Sequence, residues 1–129
     1  MNKIVQIKIF NDILDQFFDF LETNFPYFKS DIILTRSTTE FIRNSNPRLV
    51  VEQFMDMVLP YKKQIFDCNE DFFLNFETNI SSQQLTHENL LAGMKIKNMW
   101  LSPETGTHQK AYIWMYFQKL IRAGEKVVG

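Results

Sequence analysis

The densest run of residues able to do chemistry is Asp67-Cys68-Asn69-Glu70-Asp71. Asp67, Asn69 and Asp71 match the opening D-x-N-x-D of a calcium loop, in which alternate oxygens face one cation. Such a loop needs glycine at its sixth position for a sharp turn and a bidentate glutamate at its twelfth. Those positions hold Phe72 and Thr78, so both demanding requirements fail. The run reads instead as a capped turn that delivers Phe72, Phe73 and Leu74 into a core. Cys68 stands among acidic neighbours, which disfavour a nucleophilic thiolate. His87 and His108 lie in no H-x-x-x-H or H-E-x-x-H spacing. Gly93, Gly106, Gly124 and Gly129 are dispersed, and no Gly-rich loop follows a strand to cradle a phosphate. The sequence therefore predicts no catalytic residue, no cofactor and no metal, and it favours binding over catalysis.

The element best placed to present a binding face is the stretch Thr105 to Gly124. At about 100° per residue, Ile113, Trp114, Phe117, Leu120 and Ile121 share one core-facing arc. Thr105 or Thr107 is the expected N-cap and Gly124 the expected C-cap, with the tail after Glu125 frayed. Opposite the stripe lie His108, Tyr112, Met115 and Lys119, with Tyr116 at the edge. Two readings stand: a central helix packed on both sides, or an exposed partner-binding patch of Tyr112, Met115, Tyr116 and Lys119. Tyr and Met are enriched in interface cores, which favours the second as a functional reading.

The other elements follow from apolar spacing. Residues 3–9 alternate weakly and read as the lead-in to a helix over Asn11 to Asn24 rather than as a lone strand. In that helix Phe10, Ile13, Leu14, Phe17, Phe18, Leu21 and Phe25 face inward. Its wet side carries Asp12, Asp15, Gln16, Asp19 and Glu22, a stripe read as solubility rather than a metal site. Ser30 caps a second expected helix, Asp31 to Arg43, with Ile33, Leu34, Phe41 and the small Ser37 and Thr38 inside. Asn46 caps a third, with Pro47 at its first position and Val50, Val51, Phe54, Met57 and Val58 inside. Pro60 closes it and starts a short helix, Tyr61 to Phe66. Asn79 to Gln84 reads as a polar loop. Thr86 caps a helix over His87 to Asn98, with Leu90, Leu91 and Met94 inward, and Trp100 and Leu101 follow as a hydrophobic cap. Ser102-Pro103-Glu104 is a tight connection.

The chain of 129 residues fits one domain, 1–129, with enough apolar content to build a core. Thirteen Phe against four Gly and four Pro argue against a disordered or loop-rich chain. One cysteine excludes an intrachain disulfide and points to a reducing compartment. No stretch approaches a membrane span, and the N-terminus makes a poor signal peptide. Net charge is −1, yet residues 86–129 hold six Lys/Arg against three Asp/Glu. That local excess supplies an alternative function, weak nucleic-acid binding through Lys95, Lys97, Lys110 and Arg122, together with Lys119.

The Phe-rich helix FNDILDQFFDFLE, the segment Pro60-Tyr61 with Ile65 and Asn69-Glu70-Asp71-Phe72-Phe73, and the late run from Ile113 to Leu120 form a further pattern. In this pattern the chain resembles a group of small uncharacterised proteins of nucleocytoplasmic large DNA viruses that infect algae and other protists. It departs from the group where Leu101 directly follows Trp100. The resemblance implies a viral source, a host-cytoplasm or virion setting and an all-helical fold, and it brings no activity, cofactor or site residue. The combined expectation is an all-α bundle of five to seven helices, with the first and last helices packed together around Phe17, Leu21, Trp114 and Phe117. Its expected function is a non-enzymatic protein-interaction or virion-associated module that binds a protein partner or a second copy. No membrane and no small-molecule substrate is expected.

Overall fold

A computed structural model describes residues 2–75 and 95–129 of the chain. The fold is all-α, and the described residues contain no strand. The helices are α1 (Lys3–Asn24), α2 (Lys29–Ser45), α3 (Pro47–Val58), α4 (Lys62–Phe66), α5 (Asp71–Leu74), α6 (Ile96–Leu101) and α7 (Thr107–Val128). Short 3-10 turns at Pro26–Phe28 and Leu59–Tyr61 lead into α2 and α4. The polar loop at Asn79–Gln84, the Thr86 cap, His87, Leu90, Leu91, Gly93 and Met94 lie outside the described residues.

The longest helices, α1 and α7, make the most extensive packing in the molecule, and α3 lies against both. As the apolar spacing predicts, Phe17, Leu21, Trp114 and Phe117 are buried, Phe17 against Phe117 where α1 meets α7 and Trp114 against Phe73 and Trp100. Phe117 is the hub. Its ring meets Phe17 at 5.7 Å, Phe54 at 6.0 Å, Phe72 at 5.9 Å and Phe73 at 5.3 Å. The Asp67–Leu74 turn does deliver Phe72 and Phe73 to full burial, and Phe73 stacks on Trp100 at 4.3 Å. Asn69 caps that turn by accepting from the Asp71 amide at 3.1 Å. At the other end, the Lys3 ammonium donates to the Val127 carbonyl at 2.6 Å, joining the start of α1 to the end of α7.

Several boundaries differ from the sequence expectation. The helix α1 begins at Lys3, because the Asn2 side chain accepts from the Ile4 amide at 2.8 Å and caps it a turn and more before Asn11. Ser30 is no cap: the Pro26–Phe28 turn feeds directly into α2 at Lys29. Neither Thr105 nor Thr107 caps α7. The cap is Gly106, whose amide donates to the Gln109 side chain at 3.1 Å, while the buried Thr105 hydroxyl donates to the Met99 carbonyl. Gly124 lies inside α7 and does not end it. A Cβ there would collide with the Met55 side chain, so the glycine allows close approach of α3. The tail is not frayed, since helix continues to Val128 and Val127 is fully buried. Leu101 stands out in solvent while Trp100 is buried.

The largest correction concerns α2. Its buried residues are Ile32, Thr35 and Thr39, whereas Ile33, Leu34, Ser37 and Phe41, expected inside, are exposed, and Thr38 is half-exposed. The cause lies on α1. Arg36 donates to Asp19 at 2.8 Å and Glu22 at 2.7 Å, and Arg43 donates to both Asp15 oxygens at 3.0 and 3.1 Å. The Arg36 guanidinium also sits 5.6 Å from the Phe18 ring centre. The wet side of α1 is therefore where α2 docks. Two arginines clamp three of its carboxylates, and that turns the threonines inward and the large apolar side chains outward.

Candidate docking surface

On α2, Ser30, Ile33, Leu34, Ser37, Phe41 and Asn44 fall within about 100° of helical arc, and no charged side chain falls among them. Ile33 is 44% exposed, Leu34 68% and Phe41 76%. Taking a large apolar side chain as about 200 Å², the three leave roughly 350 Å² in water. A patch of that size on a monomer is often functional. On one border of the arc lie Lys29 and Glu40, both exposed and neither in an ion pair among the described residues. The same border carries Arg36 and Arg43, already bound to α1. For Arg36, burial alone would lower the pKa; hydrogen bonds and charge from Asp19 and Glu22 outweigh it and hold the pKa above its ordinary value.

The face expected on α7 is arranged differently. Tyr112, Met115, Tyr116 and Lys119 do share one arc, but α1 leans over part of it. Tyr116 meets Phe17 at 5.3 Å and Phe20 at 5.6 Å, and Tyr112 meets Phe20 at 5.4 Å and His108 at 5.5 Å. Met115 and Tyr116 are half-buried, while Tyr112 and Lys119 are exposed. These tyrosines thus pack part of their rings on α1.

The four cations of the nucleic-acid alternative do not converge. Lys95 pairs with Asp31 at 3.7 Å, Lys97 is half-buried, Lys110 lies 4.8 Å above the Trp100 ring and Arg122 lies 5.0 Å from the Phe66 ring centre. Along α7, Lys110 and Arg122 are separated by about 18 Å of rise and roughly 120° of rotation. Lys119 points to roughly the opposite side of α7 from Lys110.

Residues considered for catalysis are also apart. Cys68 is exposed, and its sulfur is 3.6 Å from the Gln118 side-chain nitrogen. His108 is exposed beside Tyr112, and no group of three or more His, Cys, Asp or Glu side chains among the described residues is arranged to hold a metal ion. A groove of about 470 Å³ opens where the first turns of α1 meet the α2–α3 junction, lined by Ile4, Ile7, Asn11, Asp15, Arg43 and Arg48. Asn11 is buried and ties the helices by donating to the Ile7 carbonyl at 3.0 Å and the Pro47 carbonyl at 3.5 Å. The charges around the groove are already paired, Lys8 with Asp12, Arg43 with Asp15 and Arg48 with Glu52. The groove thus has no surplus charge with which to select a ligand.

Hydrophobic spacing alone marks Ile33, Leu34 and Phe41 on α2 but places them in the core, whereas they stand in solvent. The signal for the correct rotation was present. Arg36 and Arg43, seven residues apart, lie along one side of the helix, and Asp15, Asp19 and Glu22 lie along one side of α1. No protein-family model, curated protein or solved structure matches the chain. Among the described residues no helix is long and apolar enough to cross a membrane.

Proposed function

We propose that the chain is a non-enzymatic protein-interaction module and that α2 is its docking face. One observation carries the reading: three large apolar side chains on a charge-free arc of an ordered helix stand in solvent. A helix that needed only its own core would bury them. The resemblance to small helical proteins of large DNA viruses, if it reflects descent, would give a setting, the host cytoplasm or the virion. Detection of the protein in purified particles separates the two.

The test of the docking face is solution mass by light scattering over a wide concentration range, for the parent and for Leu34→Gln/Phe41→Gln. The expected result is mass that rises with concentration for the parent and stays at one copy for a variant of equal helicity. A variant that unfolds shows that the residues are core, and parent and variant with the same mass curve show that the face does not associate. The partner site first expected at Tyr112, Met115, Tyr116 and Lys119 is half-closed by Phe17 and Phe20, so α2 is preferred. The alternative, nucleic-acid binding, would have to draw on cations held at separate places; affinity falling steeply with salt would favour it.

A further inference from the structure

Resting on that docking face, we infer that its occupant is a second copy of this chain, with the two α2 helices antiparallel across a two-fold axis near Ser37. The pattern of the face itself points there. Ser37 lies midway between Ile33 and Phe41, so antiparallel pairing sets Ile33 of one copy against Phe41 of the other, twice. The small serine at the crossing lets the helix axes approach closely. No charge is buried, because the arc contains none.

Charge then selects the direction. In an antiparallel two-fold pair, each border of the arc meets the same border of the other copy, running the opposite way. Lys29 lies eight residues before Ser37 and Glu40 three after it. Antiparallel pairing therefore brings Lys29 of one copy to within about 8 Å of rise from Glu40 of the other, a gap that the two flexible side chains span together. Both groups lack an ion-pair partner among the described residues, whereas Arg36 and Arg43 on that border are taken by α1. With roughly 350 Å² of exposed apolar surface per copy, about 700 Å² over both, the apolar contact is smaller than a standard specific interface, and the dimer is weak and concentration-dependent.

The experiment is a charge exchange read by sedimentation equilibrium. Lys29→Glu and Glu40→Lys are made separately, each on an exposed position that leaves the core intact. Each variant alone sets like charges together at both contacts and is expected to dimerise about tenfold more weakly than the parent. An equimolar mixture of the two restores both contacts in a heterodimer and is expected to recover parent-like mass. A parent that stays monomeric, single variants that match the parent, or a mixture that fails to recover overturns the antiparallel pairing. Leu34→Gln/Phe41→Gln separates the levels. If it abolishes association while the charge variants do not, the face stands and the antiparallel pairing falls; if it has no effect, the docking face falls as well.

Discussion

Replacing Ile32 and Phe41 by alanine, one at a time, tests the rotation of α2, because the two residues exchange roles if the helix is turned. Ile32 is fully buried, and truncating a buried isoleucine costs about 2–5 kcal/mol through lost transfer energy and the cavity left behind. Phe41 is 76% exposed, so only about a quarter of its surface is covered. Losing roughly 50 Å² of burial costs about 1 kcal/mol, and the better helix propensity of alanine returns about half of it. In urea unfolding followed by far-UV circular dichroism, Ile32→Ala should therefore lower stability by at least about 2 kcal/mol and Phe41→Ala by less than about 1 kcal/mol. Dilute protein keeps copies apart, so the values report the monomer. The reverse order, with Phe41→Ala costing about 3–5 kcal/mol and Ile32→Ala almost nothing, would refute the outward rotation and with it the docking face.

Three further outcomes follow from the packing. Arg36→Gln removes the link from α2 to Asp19 and Glu22 and should cost about 1–2 kcal/mol, read as a lower urea midpoint. Because the folded pKa of Arg36 is raised, the stability it brings is full below its ordinary pKa and is lost only as pH rises through the folded value. On the arginine's account, then, the parent–variant difference should hold steady from neutral to moderately alkaline pH. Gly124→Ala should destabilise by about 1–3 kcal/mol, since its new Cβ meets the buried Met55; adding Met55→Ala should make the combined loss smaller than the sum of the two single losses. Phe17→Ala should cost about 3–5 kcal/mol, and an unchanged melting temperature would remove Phe17 from the α1–α7 core.

The sequence makes the central packing legible because α1, α3 and α7 each bury a stripe whose period matches the helix. Val50, Val51, Phe54, Met57 and Val58 are buried as their spacing predicts, as are Ile113, Trp114, Phe117, Leu120 and Ile121. Chain ends and caps are less legible, since they are decided by partners far away in sequence. Gly124 reads as a terminator only until Met55 of α3 is seen against it, and the tail reads as frayed only until Lys3 and Arg48 are seen on the Val127 carbonyl. The face of α2 is hidden from periodicity for a related reason. Periodicity weighs side chains by hydrophobicity alone, whereas this helix is oriented by arginines whose carboxylate partners sit on another helix, 14 to 28 residues away.

Turning α2 to bury Ile33, Leu34 and Phe41 would remove roughly 350 Å² of apolar surface from water, worth up to about 9 kcal/mol at the usual transfer value. Against this stand the two arginine clamps, each worth about 1–2 kcal/mol when partly exposed, and the burial of Ile32, worth about 2–3 kcal/mol. Since the transfer figure is an upper bound, the two sides are of similar size, and the clamps with Ile32 hold the rotation while the apolar arc stays in water. A second α2 laid on the first recovers the arc's transfer energy without breaking either clamp, because Arg36 and Arg43 face α1 and the apolar arc faces away. In the proposed dimer the clamps would set the rotation and the partner copy would cover the arc.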